Sequence, residues 1–182
     1  MSTTARTVAA FLLIAAPLLG GGLTRPAAAG PGTKTYTDSA HGLAFRYPAT
    51  WKALLRGKNT GYPATIAATE NTFIAPDFSA ALLDMVGEGQ LAGAALQAAG
   101  PKLFKYGRTM AGPIATGRAT IGRRAFYRWS GAVRPSGGST VLATLYARAG
   151  GAGTYYIATL IAPHHAASAK TLQEIIDSVT IR

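Results

Sequence analysis

The segment His41-Gly42-Leu43-Ala44-Phe45-Arg46-Tyr47-Pro48-Ala49-Thr50-Trp51 carries the strongest fold signal in this chain. It predicts a short strand, because apolar residues occupy every second position and therefore share one face. These alternating residues are Leu43, Phe45 and Tyr47. Pro48 lacks an amide hydrogen and ends the predicted strand. Trp51 follows closely and is predicted to enter the core, where its burial contributes roughly a few kcal/mol to stability.

The N-terminal residues have the pattern of a secretory signal peptide. Arg6 is followed by an apolar run over residues 8–19 and then by Ala27-Ala28-Ala29, which predicts cleavage after Ala29. The apolar run is shorter than the roughly 20 residues of a membrane-spanning helix. We therefore expect a signal peptide at 1–29, a flexible leader at 30–34 and a single domain at 35–182. The expected location is periplasmic or secreted, as a soluble protein.

Composition narrows the class of protein further. The chain has no cysteine, which excludes both a lipid-anchored cysteine and disulfides, so burial alone must stabilise the domain. It has 18 Lys and Arg against 7 Asp and Glu, and removing Arg6 and Arg25 with the signal peptide leaves a net charge of +9. This excess favours an anionic partner, although a solubilising charge without any partner explains it slightly better.

The order of predicted elements indicates an α+β fold. A strand near Tyr36, the strand at 43–47 and a strand at 65–69 come first, with a connection at 71–77. Residues 80–86 fit helix or strand, and their short length before Gly87 and Gly89 favours a strand. A helix is predicted over 88–104, although Gly100-Pro101 leaves its second half open. Then follow strands at 114–121, 124–133, 140–147 and 154–162, with turns at Gly122, 135–138 and 150–153.

A second helix is predicted over 166–178. Its apolar residues recur at i, i+3, i+4 and i+7, so they form one stripe that faces the sheet. These residues are Leu172, Ile175, Ile176 and Val179. The predicted architecture is a twisted antiparallel sheet flanked by helices. Together with Leu43, Phe45, Tyr47, Pro48, Trp51 and Trp129, the stripe makes up the predicted structural core.

Several of these residues resemble the PsbP/DcrB-like family of small exported domains. The shared features are an opening tyrosine, a Tyr-Pro-x-x-Trp element and a closing helix, carried here by Tyr36, Leu43, Phe45, Tyr47, Pro48, Trp51 and Ile176-Asp177-Ser178-Val179. The resemblance covers 35–182 and implies an α/β/α sandwich. It also implies a non-catalytic accessory protein, since family members act in exported compartments or at photosynthetic membranes, and one nuclear branch binds a small GTPase. It transfers no catalytic residues.

Motifs of catalysis and metal binding are absent from the sequence. His164 and His165 are adjacent, so they diverge on either a strand or a helix, and we expect them in the polar entry to the last helix. His41 is expected to be solvated in a turn. No G-x-S-x-G, S-x-x-K or phosphate-binding loop occurs. We therefore predict no catalytic residue, no metal and no cofactor.

Arginine residues give the best candidate for a binding site. Six of them lie in the strands and turns of the predicted antiparallel meander, and no acidic residue occurs between Glu88 and Glu174: Arg118, Arg123, Arg124, Arg128, Arg134 and Arg148. Neighbouring strands are about 4.8 Å apart, so several guanidinium groups are expected to form one patch for phosphate, sulfate or carboxylate groups. Tyr127 and Trp129 alternate with Arg128 and are expected to face the core, which makes nucleic acid an unfavoured partner.

Three functional hypotheses follow from the sequence. The first is an exported accessory protein, an assembly or stabilising factor that binds an acidic protein or an anionic envelope component. The second is a carrier of a small ligand or lipid headgroup, with a pocket between the sheet and the helices. The third is a hydrolase of unknown type, which requires Ser, His and Asp side chains within hydrogen-bond reach. The sequence leaves the oligomeric state open.

Overall fold

The computed structural model describes residues 32–58, 69–151 and 153–181, and these form an α+β fold as the sequence predicts. The predicted signal peptide and most of the strand predicted at 65–69 lie outside the described residues. The strands are β1 (Thr33–Asp38), β2 (Leu43–Pro48), β3 (Lys52–Lys58), β4 (Thr69–Ile74), β5 (Ala80–Gly87), β6 (Arg108–Met110), β7 (Ala115–Ile121), β8 (Arg124–Pro135), β9 (Val141–Gly150), β10 (Gly153–Ile161) and β11 (Thr180–Ile181). The helices are α1 (Gly93–Lys105) and α2 (Ala166–Asp177).

The strands form two antiparallel sheets. The larger sheet has the order β3-β4-β5-β10-β9-β8, and both β6 and β7 pair with the outer side of β8. The smaller sheet has the order β1-β2-β11. The last strand thus returns to the segment that opens the domain, since Thr180 pairs with Ala44 and Ile181 with Leu43.

The larger sheet has a hydrophobic core on each of its faces. On one face, side chains of β2 and α2 pack with Phe73, Leu82 and Phe126. On the other face, Leu96 and Phe104 of α1 pack with side chains of the sheet. Because both faces are covered, β5 and β10 are buried along almost their whole length. This explains why their sequences are mostly apolar and do not alternate.

The predicted core residues lie mainly in the interior. Those that are buried are Leu43, Phe45, Trp51, Trp129, Leu172, Ile175, Ile176 and Val179. Tyr47 is half-buried and packs against the first core, and Pro48 is half-buried beside it. The two tryptophans belong to different cores, because Trp51 packs with the first and Trp129 with the second.

The first helix begins later than the sequence predicts. The prediction placed it over 88–104, whereas α1 spans Gly93–Lys105. Gly89 has a φ of 79°, a left-handed conformation that interrupts a right-handed helix. Pro101 lies inside α1 and does not end it. The buried residues of the helix are Leu96, Gly100 and Phe104.

Two strands replace segments that the sequence predicts as connections. β3 lies where the sequence predicts no strand, and β4 occupies much of the predicted connection at 71–77. β4 was missed because it carries polar residues in the interior, where Glu70 and Asn71 are both buried. Strands β6 and β11 are too short to give a periodic signal. β1 begins at Thr33, so the last two residues of the predicted leader are part of a strand.

Candidate functional site

Strand β8 places three of the six predicted arginines on one face of the larger sheet. Side chains alternate between the two faces of a strand, so residues that are an even number of positions apart share a face. Arg124, Arg128 and Arg134 meet this condition. The alternate residues Tyr127, Trp129 and Val133 pack against the core beneath α1. The arginines therefore project from the opposite face, the one that α2 covers only in part.

Arg148 of β9 joins this face beside Arg124. Its guanidinium carbon lies 5.7 Å from the ring centroid of Phe126, and its Nε donates a hydrogen bond to the carbonyl of Ala149 at 3.0 Å. Burial, and then the charge of Arg124, lower the pKa of the Arg148 guanidinium. Two like charges are therefore held close together at this end of the strands.

Arg128 and Arg134 continue along β8. Arg128 pairs with Tyr146 of β9. The pKa of Tyr146 is raised, mainly by burial; the charge of Arg128 opposes the rise and the charge of Asp177 on α2 adds to it. Arg134 donates a long hydrogen bond of 3.5 Å to the hydroxyl of Thr140. Leu142 lies on the same face and is 49% exposed. We call Arg124, Arg128, Arg134 and Arg148 the arginine row.

Two of the predicted arginines lie outside the arginine row. Arg118 of β7 pairs with Tyr127 and lies on the opposite face, with its guanidinium carbon 3.9 Å from the centroid of the Tyr127 ring. Arg123 occupies the turn between β7 and β8 with a φ of 64°. The structure therefore brings the predicted arginines together as a line of four, with one more at the turn and one behind the sheet.

Among the described residues, no carboxylate forms an ion pair with the arginine row. The ion pairs of the described residues involve other side chains: His41 with Asp38 at 2.6 Å, and Lys170 with Glu174 at 4.0 Å. The four guanidinium groups of the row thus have no ion-pair partner within the described part of the chain, although the charge of Asp177 reaches Tyr146 beside Arg128. Such a surface attracts anionic groups, and arginine is suited to carboxylate and phosphate because of its planar, forked donors.

A buried polar cluster that sequence analysis missed lies between the two sheets. Asp84 of β5 is 1% exposed. Asn71 of β4 donates a hydrogen bond to the hydroxyl of Tyr36 at 2.7 Å. Burial, and then the charge of Asp38, raise the pKa of Asp84 to about 6, while hydrogen bonds from Asn71 and Tyr36 oppose the rise. A lone aspartate within the apolar run of β5 was the available sequence signal.

The turn between β1 and β2 lies beside this cluster and is bonded to the larger sheet. The imidazole Nδ1 of His41 lies 2.6 Å from Asp38 Oδ2, and the backbone N–H of His41 donates to Asp38 Oδ1. The Tyr155 hydroxyl of β10 donates to the carbonyl of His41 at 2.5 Å. His41 is thus half-buried and bonded, which corrects the expectation that it is solvated. Together these bonds attach the β1–β2 turn to the larger sheet.

A serine cluster at the start of α2 is the nearest approach to a hydrolase site. The Ser79 hydroxyl donates to Asp77 Oδ1 at 2.7 Å and lies 2.6 Å from the Ser168 hydroxyl. His165 acts on Asp77 only through its charge, and no hydrogen bond joins a histidine ring to a serine in the described ranges. His164 and His165 are exposed at the entry to α2, as expected. No group suited to a metal ion occurs in these ranges either.

Two clefts flank α2. One of about 270 Å³ lies between α2 and β2, with Arg46, Tyr47 and Glu174 in its walls. The other, of about 300 Å³, is lined by Trp51, the turn after β4 and the first turns of α2. Neither helix in the described residues has the length and apolar content needed to cross a membrane.

Comparison with known proteins identifies the fold. No protein-family model and no curated protein matches this chain. Among solved structures, cyanobacterial PsbP (CyanoP) from Synechocystis sp. PCC 6803 has 15% sequence identity and a TM-score of 0.57, with 92% of this chain and 100% of that protein covered. The Ran-binding protein Mog1p of Saccharomyces cerevisiae has 11% identity and a TM-score of 0.50, with 84% and 96% covered.

A third similar structure is larger than this chain. It is a protein of Bacteroides thetaiotaomicron VPI-5482, with 14% identity, a TM-score of 0.54 and 82% of this chain covered. The match covers 48% of that protein, so this chain spans about half of its length. At these identities the likeness establishes the fold, and the chain has the PsbP-like fold that its sequence resembles.

Proposed function

We propose that this PsbP-like domain is an exported, non-catalytic accessory protein that binds an acidic protein surface through the arginine row. The observation that carries the proposal is the charge of Arg124, Arg128, Arg134 and Arg148, which lie on one sheet face and form no ion pair among the described residues. Bringing Arg124 close to Arg148 is unfavourable in the free protein, and a bound carboxylate would relieve that repulsion.

The length of the arginine row favours a macromolecule over a small anion. Arg124 and Arg134 are ten positions apart on one strand, which corresponds to roughly 33 Å. A single headgroup or phosphate cannot contact both ends, whereas a protein surface can. Exposed Leu142 beside the row adds an apolar contact, and arginines together with apolar anchors are enriched in protein interfaces.

Two further observations support this proposal. The signal-peptide pattern of residues 1–29 supports export, and an anionic component of the cell envelope is then the other accessible class of partner. The likeness to Mog1p supports a binding role, because that protein is named for binding Ran. Fold likeness alone is a weak argument for a particular partner, so the proposal depends on the charge of the arginine row.

The second candidate function is a carrier of a small ligand or lipid headgroup. The observation in its favour is the pair of clefts beside α2, whose volumes of about 270 and 300 Å³ lie at the lower end of those that hold small ligands. The space between the larger sheet and the helices is filled by the two cores, so any ligand would lie at the margin of α2. Native mass spectrometry of purified protein, with a bound small molecule as the expected result, tests this alternative.

Charge reversal tests the arginine row. The double variant Arg124→Glu/Arg128→Glu is compared with Lys34→Glu/Lys102→Glu, which makes the same change in net charge at exposed residues away from the row. The readout is capture of acidic proteins from native envelope extract at increasing salt. We expect the arginine variant to capture no acidic proteins at any salt concentration. The lysine variant should capture them as the natural protein does, with binding that weakens as salt increases.

Vesicles of phosphatidylcholine with and without phosphatidylglycerol form a second arm of the experiment. If the natural protein binds the vesicles that contain phosphatidylglycerol and captures no acidic protein, and if the arginine variant does not bind those vesicles, the partner is a lipid surface and not an acidic protein. Equal loss of binding in the lysine variant would reduce the effect to net charge and overturn the proposed site.

A further inference from the structure

The outer edge of β7 has a regular and uncovered backbone. Every residue of Ala115–Ile121 pairs in continuous register with β8, and in the described chain no second strand pairs with β7. Five of its seven residues are exposed. At the opposite edge of this sheet, β3 has a register shift between Leu55 and Gly57. Such irregularities, like prolines and lysines, are the usual means of blocking an edge strand, and β7 has none of them.

The turn before β8 determines which backbone groups of β7 point outward. Gly122 and Arg123 have φ values of 53° and 64°, so they form a two-residue turn of type I′. Its hydrogen bond makes Ile121–Arg124 a hydrogen-bonded pair, and such pairs alternate along an antiparallel ladder. The N–H and C=O groups of Ala119 and Gly117 therefore bond to β8. Those of the alternate residues point to the outside: Thr116, Arg118 and Thr120.

Side chains leave this edge open. Arg118, the charged residue of β7, lies over the Tyr127 ring and so leans inward over the sheet. Gly117 pairs with Arg128 and has open space where a side chain would be. Nothing on β7 therefore separates the guanidinium of Arg128 from the edge. One arginine is available on each face of the sheet within reach of an added strand.

We infer that the β7 edge binds an extended acidic segment of a partner protein by strand addition. The backbone groups of Thr116, Arg118 and Thr120 would supply the hydrogen bonds, as in other complexes where a peptide extends a sheet. Arg118 and Arg128 would select carboxylates, because an incoming strand directs its side chains to both faces. This inference rests on the proposed function, since it takes the acidic partner from there and adds the mode of binding.

Amide hydrogen exchange in the presence of a model peptide tests the inference. The probe is a ten-residue peptide of alternating Glu and Val, and its control is the same peptide methylated at every peptide nitrogen, which keeps the charge and removes the donors. In the free protein we expect fast exchange at Thr116, Arg118 and Thr120, and protection at Gly117 and Ala119. The first peptide should protect the three outward amides, and the methylated peptide should leave them unchanged.

A proline variant provides the matched test in the protein. Thr116→Pro removes an outward N–H that makes no bond to β8, so the fold should persist, whereas Thr116→Ala keeps that N–H. We expect Thr116→Pro to weaken binding of the peptide by at least about tenfold and Thr116→Ala to leave it within about twofold. Circular dichroism establishes that both variants are folded, and if Thr116→Pro is not, Thr120→Pro replaces it.

Several outcomes would overturn the inference. Equal binding of the methylated peptide, or absence of binding by either peptide, would exclude strand addition. Dimerisation in sedimentation experiments that Thr116→Pro abolishes would assign the edge to a second copy of this chain. If Thr116→Pro captures acidic envelope proteins normally while Arg124→Glu/Arg128→Glu does not, the proposed function stands and the β7 edge is not its site.

Discussion

Trp51 is a core residue that the sequence marks clearly. It lies just after β2, is 7% exposed and belongs to the core between the two sheets. Its backbone N–H donates to the carbonyl of Pro48 at 2.9 Å, so the proline that ends the strand also fixes the turn that brings the indole inward. The Tyr-Pro-x-x-Trp element is therefore part of the scaffold of the domain.

Truncating Trp51 should destabilise the protein strongly. We expect Trp51→Ala to lower the free energy of unfolding by about 3–5 kcal/mol, because it leaves a large cavity in a packed core. The control is Leu55→Ala, at a residue that is 61% exposed, where a change within about 0.5 kcal/mol is expected. Urea unfolding measures both. A loss below about 1 kcal/mol for Trp51→Ala would place the indole on a surface and contradict its role in the core.

Asp84 makes the stability of the fold depend on pH. Burial, and then the charge of Asp38, raise its pKa from the ordinary value of 3.8 to about 6. The folded state therefore binds the proton more tightly than the unfolded state. The stabilisation is full below pH 4 and is lost as the pH rises through about 6. The difference between the two pKa values of Asp84 corresponds to roughly 3 kcal/mol in the free energy of unfolding.

Replacing Asp84 should remove this dependence. We expect Asp84→Asn to be more stable than the natural protein above pH 6, and its stability to change less between pH 4 and 7. At Asp77 burial raises the pKa, but hydrogen bonds from Ser79 outweigh it and the pKa is lowered. Asp77→Asn should therefore have the opposite effect and lose stability at neutral pH. Urea midpoints across this range measure both variants, and parallel curves for Asp84→Asn and the natural protein would contradict the assignment.

Helix α1 shows how a single contact determines where an element lies. Gly100 is buried within α1, and a Cβ built there would lie 1.9 Å from Cζ2 of Trp129. The absence of a side chain thus allows the helix backbone to lie directly against the indole. The sequence signal at Gly100-Pro101 suggested an uncertain helix, whereas the residue is there for close packing and the helix continues through it.

Adding one methyl group at this contact should be destabilising. In an exposed helix, Gly→Ala stabilises by about 1 kcal/mol, but here we expect Gly100→Ala to destabilise by about 1–3 kcal/mol, because the indole must shift within a packed core. Gly117→Ala is the matched control, since the position has open space around it, and we expect little change. Thermal unfolding and the near-ultraviolet dichroism of Trp129 report the effect. A gain of stability in Gly100→Ala would show that α1 is not held against the indole.

At the scale of the whole molecule, two cores share one sheet. Phe126 faces the core beneath α2, whereas Trp129 on the same strand faces the core beneath α1. The buried strands β5 and β10 contribute side chains to both. Loss of either core therefore removes support from the strands that the other core needs, so the two are expected to unfold together.

The two tryptophans allow this cooperativity to be measured. Trp129→Phe leaves Trp51 as the reporter of one core, and Trp51→Phe leaves Trp129 as the reporter of the other. We expect each variant to give a single transition, with fluorescence and far-ultraviolet dichroism coinciding. Separate fluorescence and dichroism transitions in either variant would show that the layers on the two faces of the sheet unfold independently.

Prediction from sequence succeeded where periodicity and side-chain type act locally. The alternation along β8 places Trp129 in a core, and the stripe on α2 covers the sheet as expected. Prediction failed at β4, because Glu70 and Asn71 are polar residues in a buried strand. The helix α1 was predicted, but its start was placed too early, because Gly89 has a left-handed conformation. Of the six arginines named from the sequence, four share one face, because Arg118 faces the other side of the sheet and Arg123 lies in the turn.

The sequence by itself determined the α+β class, the order of most strands, the core around Trp51 and the excess of positive charge, because each follows from neighbouring residues and their spacing. Only the tertiary structure decided which arginines share a face, that Asp84 is buried with Tyr36 and Asn71, and that β7 is an uncovered edge. These features depend on the register and order of strands that lie far apart in the chain. Local pattern does not encode which strand lies beside which, and that neighbourhood determines burial, charge proximity and access.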